Sequence, residues 1–485
     1  MGSLDDIRAE RMKKLALLRE RGIDPYPARS KRTHTIAAVR EAFDSLTEPV
    51  TVAGRIMSIR GHGALVFIDL YDGTGTMQGY LAEDTLGREA LARFSDTADI
   101  GDFIELSGTC TRTKRGEESI LATSWRMLAK TLRPLPEKWH GLKDTEERFR
   151  KRYLDLLFSE DARTLVVRRA AFWRAVRTFM EGKGFLEVET PALETTTGGA
   201  DARPFQTHHH ALDMDVYLRI SAGELWQKRL LVAGFDKVFE IGRIFRNEGI
   251  SHEHAQDYTQ LEFYWAYADY EDGMRLTEEL FRFIAQETWG TLQFTVNGHA
   301  VDLANAWKRY DYRTVMREET GIDVLEAALP DIEEKLRAFG VSFDTRGGWN
   351  ESRAMDALWK HVRKGIAGPG FLVGVPKSLS PLAKSDPEDE RVVERFQTIL
   401  GGTELSNGYS ELNDPVDQRE RFLAQQELRA AGDVEAQMMD EEFVEALEYG
   451  MPPACGFGMS ERVFSVLSGL SAREAQLFPL MRPKE

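Results

Sequence analysis

Cysteine is scarce: Cys110 and Cys455 are the only two in 485 residues, far apart and without a metal-type spacing. A disulfide scaffold is therefore not expected, and a reducing cytoplasm is the expected setting. Long apolar runs are missing as well. No stretch of about 18 apolar residues occurs, which argues against a transmembrane helix. The N-terminal MGSLDDIRAERMKK has no apolar core of the signal-peptide kind. No glycine-rich loop of the P-loop or dinucleotide type follows a strand-like segment, so any nucleotide has to be held by side chains and metal ions. Internal repeats and low-complexity tracts are absent. Positive charge is in deficit: 63 Lys and Arg face 79 Asp and Glu, a net charge of −16. Phosphate binding relies on Lys and Arg, so that total argues against a nucleic-acid partner. The local distribution points the other way, because residues 8 to 32 carry Arg8, Arg11, Lys13, Lys14, Arg19, Arg21, Arg29, Lys31 and Arg32. Such a run fits a nucleic-acid contact and a solvated helix face equally well.

What is present describes an ordinary globular chain, 42% hydrophobic and 29% charged, long enough for two or three domains. Residues 1–48 form an N-terminal helical segment, with an amphipathic helix over 5–21 ended by Gly22 and the Pro25-Tyr26-Pro27 turn. Residues 49–132 read as five short strands separated by glycine turns, which predicts a small barrel of the oligonucleotide-binding (OB) type. A proline-bearing and then basic linker spans 133–158. From 159 to 485 helices and strands mix without βαβ alternation. That predicts an α+β chain whose larger domain is an antiparallel sheet flanked by helices, with a helical insertion over about 320–368.

Three segments carry chemistry. In FEIGRIFRNEGISHEHAQDYTQLEFYWAYADY two strands flank a polar loop. Tyr258, Gln260, Glu262 and Tyr264 point one way, and Leu261, Phe263 and Trp265 the other. One face is core, and the other presents a carboxylate between aromatic rings. Arg246 can pair with phosphate oxygens in fork geometry, Glu248 can accept from an amino group, His254 can reach terminal phosphates, and Tyr258 can stack on a purine. Taken singly, each is better read as part of a surface salt bridge or as a core tyrosine. In GGTELSNGYSELNDP, residues 401–415, Asn407, Tyr409 and Glu411 share a face. Glu404 has the opposite parity, so Glu404 and Glu411 reach one site only if the strand bends or bulges near Gly408. Paired carboxylates beside a polyphosphate suit Mg²⁺. Last, the glycine-rich strand CGFGMS runs into a helix carrying Arg462, which can neutralise phosphate charge.

In this order the pieces resemble the signature motifs of class II aminoacyl-tRNA synthetases: GFLEVETPAL (residues 184–193) for the first, FRNEG for the second and GFGMSER for the third. More narrowly, the chain resembles the bacterial-type lysyl-tRNA synthetases, through RERGIDPYP, LRPLPEKWHGLKDTEERFRKRYLDL, GGADARPFQTHHHALD, LEFYWAYADY, SPLAK, ELSNGYSELNDPVDQRERF and LFPLMRP. The likeness runs through nearly the whole chain, and the segment around 320–368 is the least diagnostic.

The resemblance implies a lysine–tRNA ligase: ATP-dependent activation of L-lysine with Mg²⁺, transfer to the 3′ end of tRNA(Lys), and a homodimer built around Pro191. It implies that Arg246 holds the α-phosphate and substrate carboxylate, Glu248 reads the adenine amino group, and Tyr258 stacks beneath adenine. His254 and Arg462 then face the phosphates, and Glu404 and Glu411 bind the metal. For lysine it implies Glu262 and Glu411 on the ε-ammonium with Tyr264 beside them, Asn407 on the carboxylate, and Gly199 with Glu224 on the α-amino group. For the anticodon it implies Phe67 and Gln78 on the barrel, with Arg55 a further candidate. Four departures stand near the pocket. LRISAGEL has one residue more than the usual LRIAPEL, Glu253 stands where an arginine is usual, THHH replaces THHN, and the third motif is about one residue short. Two other readings share these motifs: a paralogue using another acceptor or amino acid, and a catalytically silent tRNA-binding regulator. The complete barrel argues against the first. Retention of Arg246, Glu248, Glu404, Glu411 and Arg462 argues against the second.

Overall fold

The computed structural model describes residues 3–61, 63–136, 144–200, 202–247, 249, 255–344, 349–433 and 435–484. The chain divides into two compact units, Met1–Lys143 and Asp144–Glu485. In the first, helix α1 (Leu4–Glu20) starts in a capping box, the Ser3 side chain accepting from the Asp6 N–H while Asp6 reaches back. Five strands follow: β1 (Val50–Arg60), β2 (Leu65–Tyr71), β3 (Thr76–Ala82), β4 (Phe103–Arg112) and β5 (Glu118–Ala129). They close into a barrel in the order β1-β2-β3-β5-β4, as the alternating sequence predicts for an OB fold. Inward positions Val52, Ile56, Ile68, Leu70, Met77, Leu106 and Ile120 are fully buried. Part of the basic N-terminal run is structural. Arg11 is buried and donates to Thr131 Oγ1 at 2.6 Å and to the Ile100 carbonyl at 2.9 Å. Lys14 pairs with Asp99 at 2.7 Å.

The second unit is built on an eight-stranded sheet. In chain order its elements are α2 (Glu160–Gly182), β6 (Leu186–Glu187), α3 (Glu224–Val232), β7 (Lys237–Phe245), β8 (Asp257–Ala266) and α4 (Tyr270–Trp289). These are followed by β9 (Lys308–Asp311), α5 (Tyr312–Thr320), α6 (Leu329–Ala338), α7 (Glu351–Val362), β10 (Gly370–Val373), β11 (Arg395–Leu400) and β12 (Thr403–Ser410). The last are α8 (Glu441–Glu448), β13 (Ala454–Ser460) and α9 (Arg462–Leu467). The sheet order is β9-β10-β11-β12-β13-β8-β7-β6, antiparallel except for the outer pairs at each end.

Alternation decides what each sheet face does. Leu261 and Phe263 on β8, Phe457 on β13 and Phe396 on β11 join Phe172 of α2 and Phe281 of α4 in the main core. The opposite face, carrying Glu262 and Tyr264, is backed by a smaller cluster of Leu225, Leu231, Phe422 and Phe443. Helices α5, α6 and α7 fall between Tyr312 and Val362, and Tyr312, Met316, Leu358 and Trp359 pack with Leu372 and Ile399 near the sheet's edge.

Candidate functional site

Glu262, Glu224 and Glu411 are brought together from three separate segments, and all three are buried. Glu262 points from the middle of β8. Its Oε1 accepts from the Ala222 backbone N–H at 2.7 Å and from Gln260 at 2.5 Å, and its Oε2 from the Tyr264 hydroxyl at 3.1 Å. Glu224 opens α3, and its Oε1 accepts from the Tyr409 hydroxyl at 2.5 Å. Glu411 lies just past β12. Between Glu224 and Glu411 sits Lys228, fully buried, with its ammonium 2.8 Å from Glu224 Oε1 and 2.5 Å from Glu411 Oε2.

Glycine makes room for this cluster. Gly456 on β13 pairs with Tyr264 on one side and Tyr409 on the other. A Cβ there would collide with the Glu411 carboxylate and would lie 2.6 Å from the Tyr264 ring. Gly199 has φ of +84°, and a Cβ on it would meet Glu224 Cβ and Ser221 Oγ at 2.7 Å. At both points only glycine leaves room for the side chains that pack against it.

Three carboxylates with one resident ammonium leave excess negative charge in a dry site. Burial, with the Glu224 charge adding to it, pushes Glu262 up to about 8. Glu411 is pushed up to about 8 by burial, with Lys228 pulling against it and Glu224 adding to it. Burial by itself would lower the Lys228 pKa, but Glu224 and Glu411 outweigh it and hold the ammonium charged. A ligand carrying positive charge is what this arrangement lacks.

At the other end of the same strand face, Tyr258 lies beneath Arg246, whose guanidinium is 5.7 Å from the ring centroid. Arg246 Nε donates to the Ile220 carbonyl at 3.2 Å. Glu248 and His254, as well as Glu253, lie outside the described residues. Arg462 opens α9 directly after β13. Its neighbour Glu461 is buried, pairs with Arg169 and accepts from the Thr259 N–H at 3.2 Å. Asn407 lies on β12 opposite Gly458, and its Oδ1 accepts from Arg395 at 2.7 Å.

Over residues 144–482 the chain matches the family model for tRNA synthetases class II (D, K and N), and over 50–128 that for the OB-fold nucleic acid binding domain. The lysine–tRNA ligase of Roseiflexus castenholzii is 46% identical over 490 aligned residues, covering 99% of this chain and 100% of that protein. That of Pelotomaculum thermopropionicum is also 46% identical, over 99% of this chain and 96% of its own length. That of Thermotoga maritima is 43% identical, over 99% and 97% respectively. The chain belongs to the lysine–tRNA ligase family of class II synthetases.

One expectation about this synthetase is corrected. Glu404 and Glu411 do not meet at one site. They stand seven positions apart along an extended strand, on the order of 20 Å. Glu404 is hydrogen-bonded by the Trp359 indole of α7, whereas Glu411 faces Lys228. The bulge falls at Leu405, where the β11–β12 register steps between Thr398–Ser406 and Ile399–Glu404, three residues before Gly408. It turns Glu404 onto the Asn407 face but cannot shorten the strand. Among the described residues no group of three or more His, Cys, Asp or Glu side chains is placed to hold a metal ion. Glu404 alone fits Mg²⁺ arriving with a polyphosphate, since that ion commonly takes one or two carboxylates plus substrate oxygens.

Sequence reading missed Lys228 and Trp359, and placed Tyr409 on the Glu411 face without giving it a partner. The signal for Lys228 was its i,i+4 spacing from Glu224 on one helix, which an exposed pair would share. In LRISAGEL a left-handed turn at Gly223, φ +77°, precedes Glu224, and the Ala222 N–H donates to Glu262. Pro191 is exposed between Leu186 and Leu193, themselves about half exposed at 50% and 48%. The residue before it, Thr190, is anchored by the buried Glu240, to which its N–H donates at 3.0 Å.

On the barrel, Phe67 points outward. Val66, Ile68 and Leu70 take the core positions around it, so it is not a core residue. It stacks on Tyr80 at 5.0 Å, and Gln78 lies on the same outer face, its Oε1 accepting from Ser119 at 2.8 Å. Arg55 lies over the Phe103 ring at 4.2 Å and donates to the Gly101 carbonyl at 3.1 Å. A bulge at Met57 brings Arg60 opposite Phe67, adding a cation that parity alone would have turned away.

Proposed function

We propose that the chain activates L-lysine with ATP and esterifies it to the 3′ end of tRNA(Lys), as a cytoplasmic homodimer. The observation that carries this reading is the buried group of Glu224, Glu262 and Glu411, with Glu262 on the same strand face as Tyr258, over which Arg246 lies. An ammonium taken out of water is very costly unless paired, and this pocket supplies the counter-charge. Glu262 and Glu411, with Tyr264, bind the ε-ammonium, and Glu224 beside Gly199 takes the α-ammonium. Arg246 and Asn407 orient the substrate carboxylate.

Adenylate formation is an in-line displacement at the α-phosphate by that carboxylate, so it needs no protein nucleophile. Positioning and charge neutralisation supply the rate. Arg246 grips carboxylate and phosphate oxygens as a fork, Tyr258 carries the adenine ring, and Arg462 neutralises the departing phosphates. Glu248 and His254 take the adenine amino group and the terminal phosphates in this reading. Glu404 would hold Mg²⁺, which neutralises phosphate oxygens when bound. Arg55, Phe67 and Gln78 contact the anticodon, and Pro191 with Leu186 and Leu193 supplies the dimer contact.

Lysine-dependent ATP–pyrophosphate exchange is the deciding assay, with charging of tRNA(Lys) to follow. Glu262→Gln is expected to abolish lysine activation while ATP binding persists. Unchanged lysine activation in that variant would overturn the pocket assignment.

A further inference from the structure

We propose that Lys228 is the built-in counter-cation of the amino-acid pocket, a positioning and specificity-determining residue that orients Glu224 and Glu411 and sets the charge the ligand must bring. This rests on the lysine reading above and adds a residue to it. One ammonium touches one oxygen of each glutamate, at 2.8 Å on Glu224 Oε1 and 2.5 Å on Glu411 Oε2. The second oxygen of each is thereby aimed elsewhere. Glu411 Oε1 is buried, takes no part in the Lys228 ion pair, and packs against Gly456, filling the position a Cβ there would occupy. Glu224 Oε2 is turned to Gly199, where an added Cβ would come within 3.1 Å of it. Each glutamate thus keeps one oxygen that Lys228 does not hold, and these two oxygens are the ones the proposal gives to the ligand's two ammonium groups.

The charge count agrees. Once a cationic ligand has drawn off their protons, Glu224, Glu262 and Glu411 carry three negative charges against one positive on Lys228, leaving two. The α- and ε-ammonium groups of a diamino acid balance them, while an amino acid with a neutral side chain leaves one buried charge unpaired. Without Lys228 the same ligand leaves a carboxylate uncompensated, and that carboxylate must take up a proton.

The titratable groups facing Lys228 are Glu224 from its own helix, Tyr264 from β8, and Tyr409 and Glu411 from β12 and just beyond it, while Glu262 of β8 feels the Glu224 charge. Its ammonium lies 5.8, 5.6 and 5.8 Å from the rings of Tyr264, Tyr409 and the uncharged Phe443 of α8. The Cys455 thiol of β13, itself buried, feels the Glu411 charge.

The test is Lys228→Met, nearly isosteric and uncharged, assayed by lysine-dependent pyrophosphate exchange across pH. KM for lysine should rise at least about 10-fold above pH 8, the scale of breaking a buried pair. The loss should shrink toward lower pH as a carboxylate takes the proton that replaces the ammonium. In Lys228→Ala, added propylamine should restore exchange and propanol should not. A KM equal to the parent's at every pH, or equal rescue by both additives, overturns the proposal. If neither variant folds, ¹⁵N-lysine labelling of the parent protein decides it. A solvent-protected Nζ signal that shifts on L-lysine addition supports the proposal, and its failure to shift overturns it. Absence of lysine-dependent exchange in the parent protein would instead overturn the functional reading itself.

Discussion

At the residue scale, the chemistry turns on carboxylates that burial keeps partly protonated until a cation arrives. Glu262 and Glu411 stand at about 8, against about 4.3 for an exposed glutamate. An ammonium ligand favours their charged forms, so lysine binding should release protons near neutral pH. Calorimetry in buffers of different ionisation enthalpy would show that release, and its absence would contradict the assignment. Stability has a definite sign. A carboxyl group whose folded-state pKa is raised contributes stability below its unfolded pKa and loses it as pH rises through the folded value. The ligand-free protein should therefore lose stability between about pH 5 and pH 9, and saturating lysine should restore most of the loss. Gly456→Ala tests the geometry: its methyl group occupies the position against Glu411 and Tyr264. Lysine activation should fall by at least about 100-fold, the magnitude for misplacing reacting groups, while thermal unfolding stays cooperative.

At the element scale, the strands were far more legible than the contacts between them. Period-two alternation in YTQLEFYWA placed Leu261 and Phe263 in the core and Glu262 opposite, because the pleat leaves no other choice. Alternation does not reveal a bulge. The extra residues at Met57 and Leu405 reverse the facing of everything beyond them, which is how Arg60 and Glu404 came to their faces. The part played by α7 was also hidden, since Trp359 reaches Glu404 across 45 residues of sequence. Trp359→Phe keeps the packing and removes the donor. It should raise KM for Mg–ATP by about 10-fold, as loss of a hydrogen bond to a charged group does, while leaving KM for lysine unchanged. Pyrophosphate exchange at varied ATP separates the two.

At the scale of the whole molecule, each unit has its own core: Ile68, Leu70 and Leu106 in the barrel, Phe239, Phe263 and Phe457 in the sheet unit. Residues 144–485 expressed alone should keep lysine-dependent exchange and lose efficient tRNA charging. Within the full chain, Phe67→Ala should weaken tRNA binding by about 1–3 kcal/mol, the worth of one base stacked on an aromatic ring. Filter binding checks this, and exchange activity should not change. The sequence by itself determined the barrel, the antiparallel sheet, the family and nearly every proposed contact, because periodicity and short motifs are local properties. Tertiary structure alone decided that Lys228 is buried between Glu224 and Glu411, that Glu404 and Glu411 belong to different places, and that Arg11 is a fastening. Whether a charge is solvated or enclosed depends on segments far apart in the sequence, and no local pattern carries that information.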